Sequence, residues 1–259
     1  MRGGGEARVL VVDMGNTNVK FAIAEAGALV SEVREAAYDV AAAAVLELAV
    51  AGGAAGCLVS SVVGRVDELA APLRRAGVGV VQLDGAMRLP FVVDYVAPQS
   101  LGSDRVAGAA GVWAMWGPTD ALVIDAGTAI TYDFLSADGH FRGGAISPGV
   151  SMRFRALHSF TAKLPLCDVS CWDGGLVARD TSGAVASGVM NGVLAEARHF
   201  ISLARRERPA TRVVLTGGDY KNFDLTSEKG IFASPNLVLK GLAFLARENL
   251  DLVVRSAST

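Results

Sequence analysis

The chain has 259 residues, 51% of them apolar and 19% charged, with a formal net charge of −2. That length and apolar content supply two cores of ordinary size, while the near-neutral charge argues against a basic nucleic-acid footprint and leaves a small ligand as the expected partner. No apolar stretch approaches the length of a membrane span and residues 1–6 lack the hydrophobic core of a signal peptide, so no membrane contact and a cytoplasmic location are expected.

In chain order, residues 9–12, 19–24 and 28–33 read as an antiparallel meander turned at Gly15-Asn16 and Gly27. An Ala-rich helix over 41–51 follows, then strand 57–62, helix 66–76 and strand 78–83. A loop over 84–102 leads into a helix from Asp104 to Trp116, which Gly117-Pro118 ends; the domain boundary is placed there. A second meander covers 121–124, 130–135 and 141–146, with Asp138-Gly139 as a hairpin turn. Asp180-Thr181 caps a long helix to about Arg208, with Val185, Val189, Val193, Ala197, Phe200 and Leu203 on one face. Strand 212–215 and a closing helix over 237–250 complete the chain. Three meander strands followed by alternating helix and strand is the ribonuclease-H-like order. The predicted fold is therefore α/β, with two duplicated domains, 1–117 and 118–259, each a mixed five-stranded sheet flanked by helices. The ligand cleft is expected between them.

Cys57, Cys167 and Cys171 are odd in number and lack a repeated C-x-x-C spacing, so they read as reduced, structural thiols rather than a zinc site. His140, His158 and His199 are scattered, and solvated or core roles are expected for each.

The strongest signal is a repetition. Leu10-Val-Val-Asp13-Met-Gly15-Asn16-Thr17 returns as Leu122-Val-Ile-Asp125-Ala-Gly127-Thr128. In each copy a buried-strand pattern ends on an aspartate, and a tight turn with free amides follows. Such turns cradle phosphate, the carboxylate can hold a metal ion, and the threonine hydroxyl can bond a phosphate oxygen. One copy alone is an ordinary turn; two copies resemble the paired loops with which the actin, hexokinase and heat-shock-70 superfamily grips ATP. In the first loop the amides of Gly15, Asn16, Thr17 and Asn18 can face the β- and γ-phosphates, Lys20 can add a point charge, and Asp13 can hold Mg²⁺ directly or through water.

Leu101-Gly102-Ser103-Asp104-Arg105 opens a helix, and Ser103 and Asp104 are both capping types. Capping does not require an Asp-Arg pair beside a glycine, however. A carboxylate there can take the proton of a substrate hydroxyl, and Arg105 can hold a substrate carboxylate bidentately.

Tyr95-x-x-Pro98-x-x-Leu-Gly102-x-Asp104-Arg105, Asp125-x-Gly-Thr128-Ala-x-Thr131-x-Asp133, Gly143-Gly-x-Ile-x-Pro148-Gly149, Thr161-Ala-x-Leu-Pro165, Asp180-Thr181 and Gly217-Gly218 follow the first loop in order. Together these motifs resemble a type III pantothenate kinase over most of the chain. The resemblance implies ATP-dependent phosphorylation of pantothenate to 4′-phosphopantothenate, the first step of coenzyme A biosynthesis. It implies that Asp13 to Lys20 and Thr128 bind ATP, that Gly217 and Gly218 let the adenosine lie against the backbone, and that Asp104 accepts the proton. It also implies that Tyr95, Gly102, Ser103, Asp104 and Arg105 line the pantothenate pocket with Thr181 closing it, and that Asp125 binds a monovalent cation, K⁺ or NH₄⁺. The segment holding Cys167 and Cys171 carries no role.

Two rivals remain: a sugar kinase of the same superfamily and a non-catalytic ATP-binding regulator. The long helix from Thr181 carries Ala184, Met190 and Leu194 besides its main apolar face, a surplus that predicts burial against a second copy. With the resemblance, this gives a homodimer whose pocket is completed across the interface.

Overall fold

The computed structural model describes residues 7–223, 225 and 228–255. They divide into two compact units, one comprising the chain up to Thr119 with Ser136–Arg142 and the stretch from Asn236 onward, the other Asp120–Leu135 with Gly143–Pro235.

In the first unit β1 (Val9–Met14) is the central strand. It pairs antiparallel with β2 (Val19–Glu25) and parallel with a later strand, numbered β5 below (Gly56–Ser61), which placed on both sides accounts for its near-continuous burial. The third strand expected over 28–33 is broken. Its pieces, β3 (Ala28–Leu29) and β4 (Arg34–Ala36), pair with opposite ends of β2. The break has a local cause: the Ser31 hydroxyl accepts the Ile23 amide at 2.9 Å, replacing the ladder carbonyl there. Helix α1 (Tyr38–Gly52) ends at Gly53, whose φ of 65° closes it in the left-handed conformation. Then come β5, α2 (Val66–Arg75) and β6 (Gly79–Gln82), with β6 parallel to β5. The loop after β6 contains a two-residue strand, β7 (Val92–Val93), and a 3₁₀ turn before α3 (Ser103–Trp116).

The second unit repeats the plan. The central β8 (Ala121–Ala126) pairs antiparallel with β9 (Ala129–Ser136), and β10 (His140–Pro148) lies beyond β9. Parallel partners β11 (Arg212–Thr216) and β12 (Ile231–Ala233) complete the order β12-β11-β8-β9-β10. The first sheet has the same order, with the five positions expected, once β3 and β4 are taken as one interrupted strand; the second has a sixth position, filled by β7 beyond β10. The tip of the β9–β10 hairpin is counted with the first unit, where β7 runs parallel to it through Val92 and Val93 opposite His140 and Phe141.

Two further helices belong to the second unit. One, α4 (Val150–Ser159), had no counterpart in the sequence reading; the other, α5 (Thr181–Glu207), is the expected long helix, capped by the Asp180 carboxylate, which accepts from the Gly183 amide at 2.9 Å. Of the surplus apolar residues expected on α5, Ala184 is exposed and the larger two are not. Met190 and Leu194 join Val185, Val189 and Val193 in the unit's own core, and Phe200 stacks on Tyr132 at 4.0 Å. Exposed apolar side chains stand elsewhere: Ile146 on β10, Phe160 just past α4, and Leu166, Leu176 and Val177 in the approach to α5.

Helices α6 (Leu237–Glu248) and α7 (Leu250–Arg255) return to the first unit. The contact of α3 with α6 is nearly backbone to backbone. A methyl group on Gly241 would collide with the Ala107 carbonyl, and one on Gly111 would come within 2.7 Å of the Leu237 carbonyl. Two glycines therefore seat the helix that begins at Ser103.

Candidate active site

Asp13 is the fifth residue of β1, half-buried, opposite Lys20 on β2 and Ser60 on β5. Beyond it the chain turns through residues 15–18, closed by the Gly15 amide on the Asn18 carbonyl at 3.2 Å, with Asn16 and Thr17 exposed. Two residues that the sequence reading passed over hold this loop. The Tyr38 hydroxyl donates to the Gly15 carbonyl at 2.5 Å, and burial, followed by the nearby Asp13 charge, raises the phenol's pKa. Glu35 on β4 accepts from the Asn18 amide group at 2.6 Å and stands 3.9 Å from Lys20 Nζ. Lys20 is thus parked on a carboxylate at the mouth of the loop.

Asp125 takes the corresponding place as fifth residue of β8, opposite Thr131 on β9 and Thr216 on β11. The turn after it is closed by the Gly127 amide on the Ala129 carbonyl at 3.0 Å, and the Gly149 amide reaches the Thr128 carbonyl at 3.1 Å. A side chain at Gly149 would collide with the carbonyls of Gly127 and Thr128, so the glycine before α4 belongs to this loop. Arg153 secures it from behind, donating to the Pro148 carbonyl at 2.8 Å and pairing with Glu196 at 2.6 Å. Burial would raise the Glu196 carboxyl, but hydrogen bonds from Ser147, Arg153 and Tyr132 outweigh it and hold the pKa below its ordinary value. Gly217, at φ 95°, presses against the Ala126 carbonyl where only glycine fits, and Gly218 faces open space. The Asp219 amide bonds the same Ala126 carbonyl at 2.9 Å.

At the start of α3 the capping reading fails. Gly102 is the N-cap and no side chain caps the helix. Ser103 instead ties α3 to β5, accepting from the Ser61 amide and lying beside Ser60 Oγ, both at 3.0 Å. Asp104 Oδ1 accepts the Arg105 amide at 2.8 Å. Burial raises the Asp104 carboxyl above the usual aspartate range, opposed by the amide and charge of Arg105. Arg105 is 7% exposed, with Nη1 3.5 Å from the Tyr95 hydroxyl. Its guanidinium carbon lies 5.8 Å from the Tyr95 ring centre and 5.9 Å from that of Phe141, an aromatic that the sequence reading did not single out. Thr181 is exposed as the first residue of α5.

Among the described residues no three His, Cys, Asp or Glu side chains gather as a metal site. Asp13 and Asp125 each offer a single carboxylate, which fits a Mg²⁺ or monovalent ion that takes its other ligands from phosphate and water better than an all-protein cage. The cysteines are free; burial pushes the Cys57 thiol far up, as expected of an inert structural thiol, Cys167 is also buried, and Cys171 is exposed. No described helix is long and apolar enough to cross a membrane.

Comparison with known proteins bears on this arrangement. The sequence model of one family, type III pantothenate kinase, matches residues 9–203. A type III pantothenate kinase of Bacteroides fragilis (strain YCH46) is 36% identical over 247 residues, 90% of this chain and 95% of that one. That of Phocaeicola vulgatus is 36% identical over 236 residues, with the same coverage of 90% and 95%. Among solved structures, a conserved Campylobacter jejuni protein described as a Baf family transcriptional activator has a TM-score of 0.64 at 21% identity, covering 93% of this chain and 99% of its own. The activator of 2-hydroxyisocaproyl-CoA dehydratase from Clostridium difficile, with ADPNP bound, has a TM-score of 0.55 at 15% identity over 97% of each chain. These structures share the fold. Because the match runs along most of the sequence at more than one-third identity, the chain belongs to the type III pantothenate kinase family.

Proposed function

We propose that this chain transfers the γ-phosphoryl group of ATP to the primary hydroxyl of pantothenate, releasing ADP and 4′-phosphopantothenate at the first step of coenzyme A biosynthesis. The observation that carries the reading is the start of α3, where a buried Arg105, its guanidinium carbon 5.8 and 5.9 Å from two aromatic ring centres, adjoins an Asp104 whose burial favours proton uptake. Arg105 holds the pantothenate carboxylate by its planar fork, and Tyr95 and Gly102 line the same pocket. The Ser103 hydroxyl is spent on β5, so its contribution there is backbone. Asp104 takes the proton of the substrate hydroxyl as its oxygen attacks the γ-phosphorus, and the bridging oxygen leaves with ADP. Amides of Gly15, Asn16, Thr17 and Asn18, together with Lys20 and Thr128, bind the phosphates. Gly218, which faces open space, leaves the adenosine free to approach the backbone, while Gly217 shapes that turn by packing on Ala126. Asp13 would hold Mg²⁺, which offsets the phosphate charge, and Asp125 a monovalent cation, K⁺ or NH₄⁺.

Release of ADP measured with pantothenate, with glucose and with neither tests the reading. Release only with pantothenate is expected. Release with glucose indicates a sugar kinase, and no release with either indicates a nucleotide-binding regulator.

The same reading makes the protein a two-fold homodimer in which Thr181 of the partner subunit closes the pocket. Support comes from the exposed Leu176 and Val177 in the segment leading into α5 and the exposed Phe160 past α4, apolar surface of a kind that marks interfaces. Co-expressed Asp104→Asn and Thr181→Arg subunits, each inactive alone, should recover about half the normal activity in heterodimers, one site carrying both lesions and the other neither. Subunit exchange without recovery places the pocket within one chain.

A further inference from the structure

Asp94, the residue before Tyr95, is gripped from two sides. Arg142 Nη1 donates to Asp94 Oδ2 at 2.6 Å, and His140 Nδ1 lies 3.0 Å from the same oxygen. The remaining nitrogens of Arg142 are also committed, Nη2 to Asp138 at 2.5 Å and Nε to the Ser136 hydroxyl at 3.1 Å. One guanidinium therefore ties the β9–β10 hairpin tip, its own turn included, to the loop that carries Tyr95.

These charges are a third to a half exposed, and pairs of that kind contribute little to stability. Their geometry is more informative. Strand β7 is only two residues long, held by the Val92 amide on the Gly139 carbonyl at 3.0 Å and the Asp94 amide on the Phe141 carbonyl at 2.9 Å. A pairing so short is marginal by itself. The Arg142 fork fixes the point at which it ends, one residue, or about 3.8 Å of backbone, before Tyr95.

Side chains alternate along β10, so His140 and Arg142 reach Asp94 while Phe141 between them points the other way into the core. Phe141 is the second ring against the Arg105 guanidinium, its centre 5.9 Å from the guanidinium carbon as that of Tyr95 is 5.8 Å. Three consecutive residues thus organise both members of the Tyr95–Arg105 pair, through Asp94 for one and through Phe141 for the other. The partners of the Arg142 guanidinium are Asp94, Asp138 and Ser136, one residue removed from the Tyr95–Arg105 pair.

We propose that Arg142 is a positioning residue for the acid substrate: by clamping Asp94 to the hairpin tip it holds Tyr95 over Arg105, and so sets the affinity for pantothenate without acting on ATP or on the proton. This rests on the assignment of Tyr95 and Arg105 to the pantothenate pocket.

The test is steady-state kinetics on the full chain with Arg142→Met, Arg142→Lys and Arg105→Met, alongside thermal melts. Small displacements of a positioning group are costly, and Arg142→Met is expected to raise KM for pantothenate roughly five- to tenfold while kcat and KM for ATP stay within about twofold. Arg142→Lys should fall between, since an ammonium can still meet Asp94 but cannot bridge Asp138 and Ser136 as well. If Arg105→Met raises KM for pantothenate and Arg142→Met leaves it unchanged, the clamp is overturned and the pocket assignment stands. If neither changes it, the pocket assignment falls and the clamp with it. Equal rises in both Michaelis constants with a lowered melting point would make Arg142 a structural residue and overturn the proposal.

Discussion

Gly102 leaves empty the space that Asp104 fills with its carboxylate: a methyl group at 102 would collide with Asp104 Oδ1. The backbone of Gly102, at φ −58° and ψ 132°, is open to any residue, so its demand is for room and not for conformational freedom. Gly102→Ala is therefore expected to fold normally yet turn the Asp104 carboxylate aside, lowering kcat on the order of 10- to 100-fold with KM for ATP little changed. A normal kcat in a folded variant would show that the carboxylate has other room to work.

Asp104→Asn should keep the Arg105 amide bond through Oδ1 and lower kcat by roughly two to four orders of magnitude. It should also be more thermostable than the parent. Because the folded-state pKa is raised above its unfolded value, the folded protein binds this proton more tightly, and ionisation costs stability as pH rises through that pKa. The gain from Asn is thus present at neutral and alkaline pH and disappears at acid pH, where the aspartate is protonated in both states. Melting curves across pH for the two proteins measure it, and an equal gain at every pH would assign the effect to something other than this carboxyl. In the parent enzyme kcat should fall on the acid side at a pH above that of an ordinary aspartate.

Glu35 holds Asn18 and stands beside Lys20, two of the groups proposed to bind phosphate. An exposed pair of this kind is worth about 0.2–1 kcal/mol, so Glu35→Gln should lower KM for ATP by about two- to fivefold. A higher KM would mean that Glu35 arranges the loop for ATP instead of withholding it.

Asp125 stands at the end of a buried strand, where a cation would screen it from a triphosphate. Activity should depend on K⁺ or NH₄⁺, and Asp125→Ala should weaken both that dependence and ATP binding. Equal rates in sodium-only and potassium buffers would remove the cation from this position.

The two turns proposed to bind phosphate were legible as turns because each is announced locally, by an apolar strand that stops on an aspartate and a glycine. The same holds for α3 and α5, whose glycine and aspartate starts stand in the sequence beside the helices they begin. What escaped is non-local or short. Strands β7 and β12 have two and three residues, too few for an alternation to register. Helix α4 buries only Val150 and Phe154, so its apolar stripe is one residue per turn. Tyr38, Glu35 and Phe141 reach the first loop or the Arg105 pair from other segments, and nothing in their own neighbourhood names the partner; Gly149 stood in a motif, but its contact with Thr128 did not. The surplus apolar face inferred for α5 failed for a related reason: periodicity counts apolar positions but does not reveal how much of a helix its own sheet and α4 will cover.

The glycine contact between α3 and α6 has a consequence for how the protein is made. The helix that opens with Asp104 and Arg105 is complete once Trp116 has been added, but its seat, beginning at Leu237, is translated only after the whole second unit. At about 5–20 residues per second that interval is on the order of ten seconds, during which the packing face of α3, including Ala107 and Gly111, has no seat in its own unit. The first half of this enzyme cannot finish on the ribosome ahead of the second. A nascent chain halted at Pro235 would expose that face to chaperones and proteases.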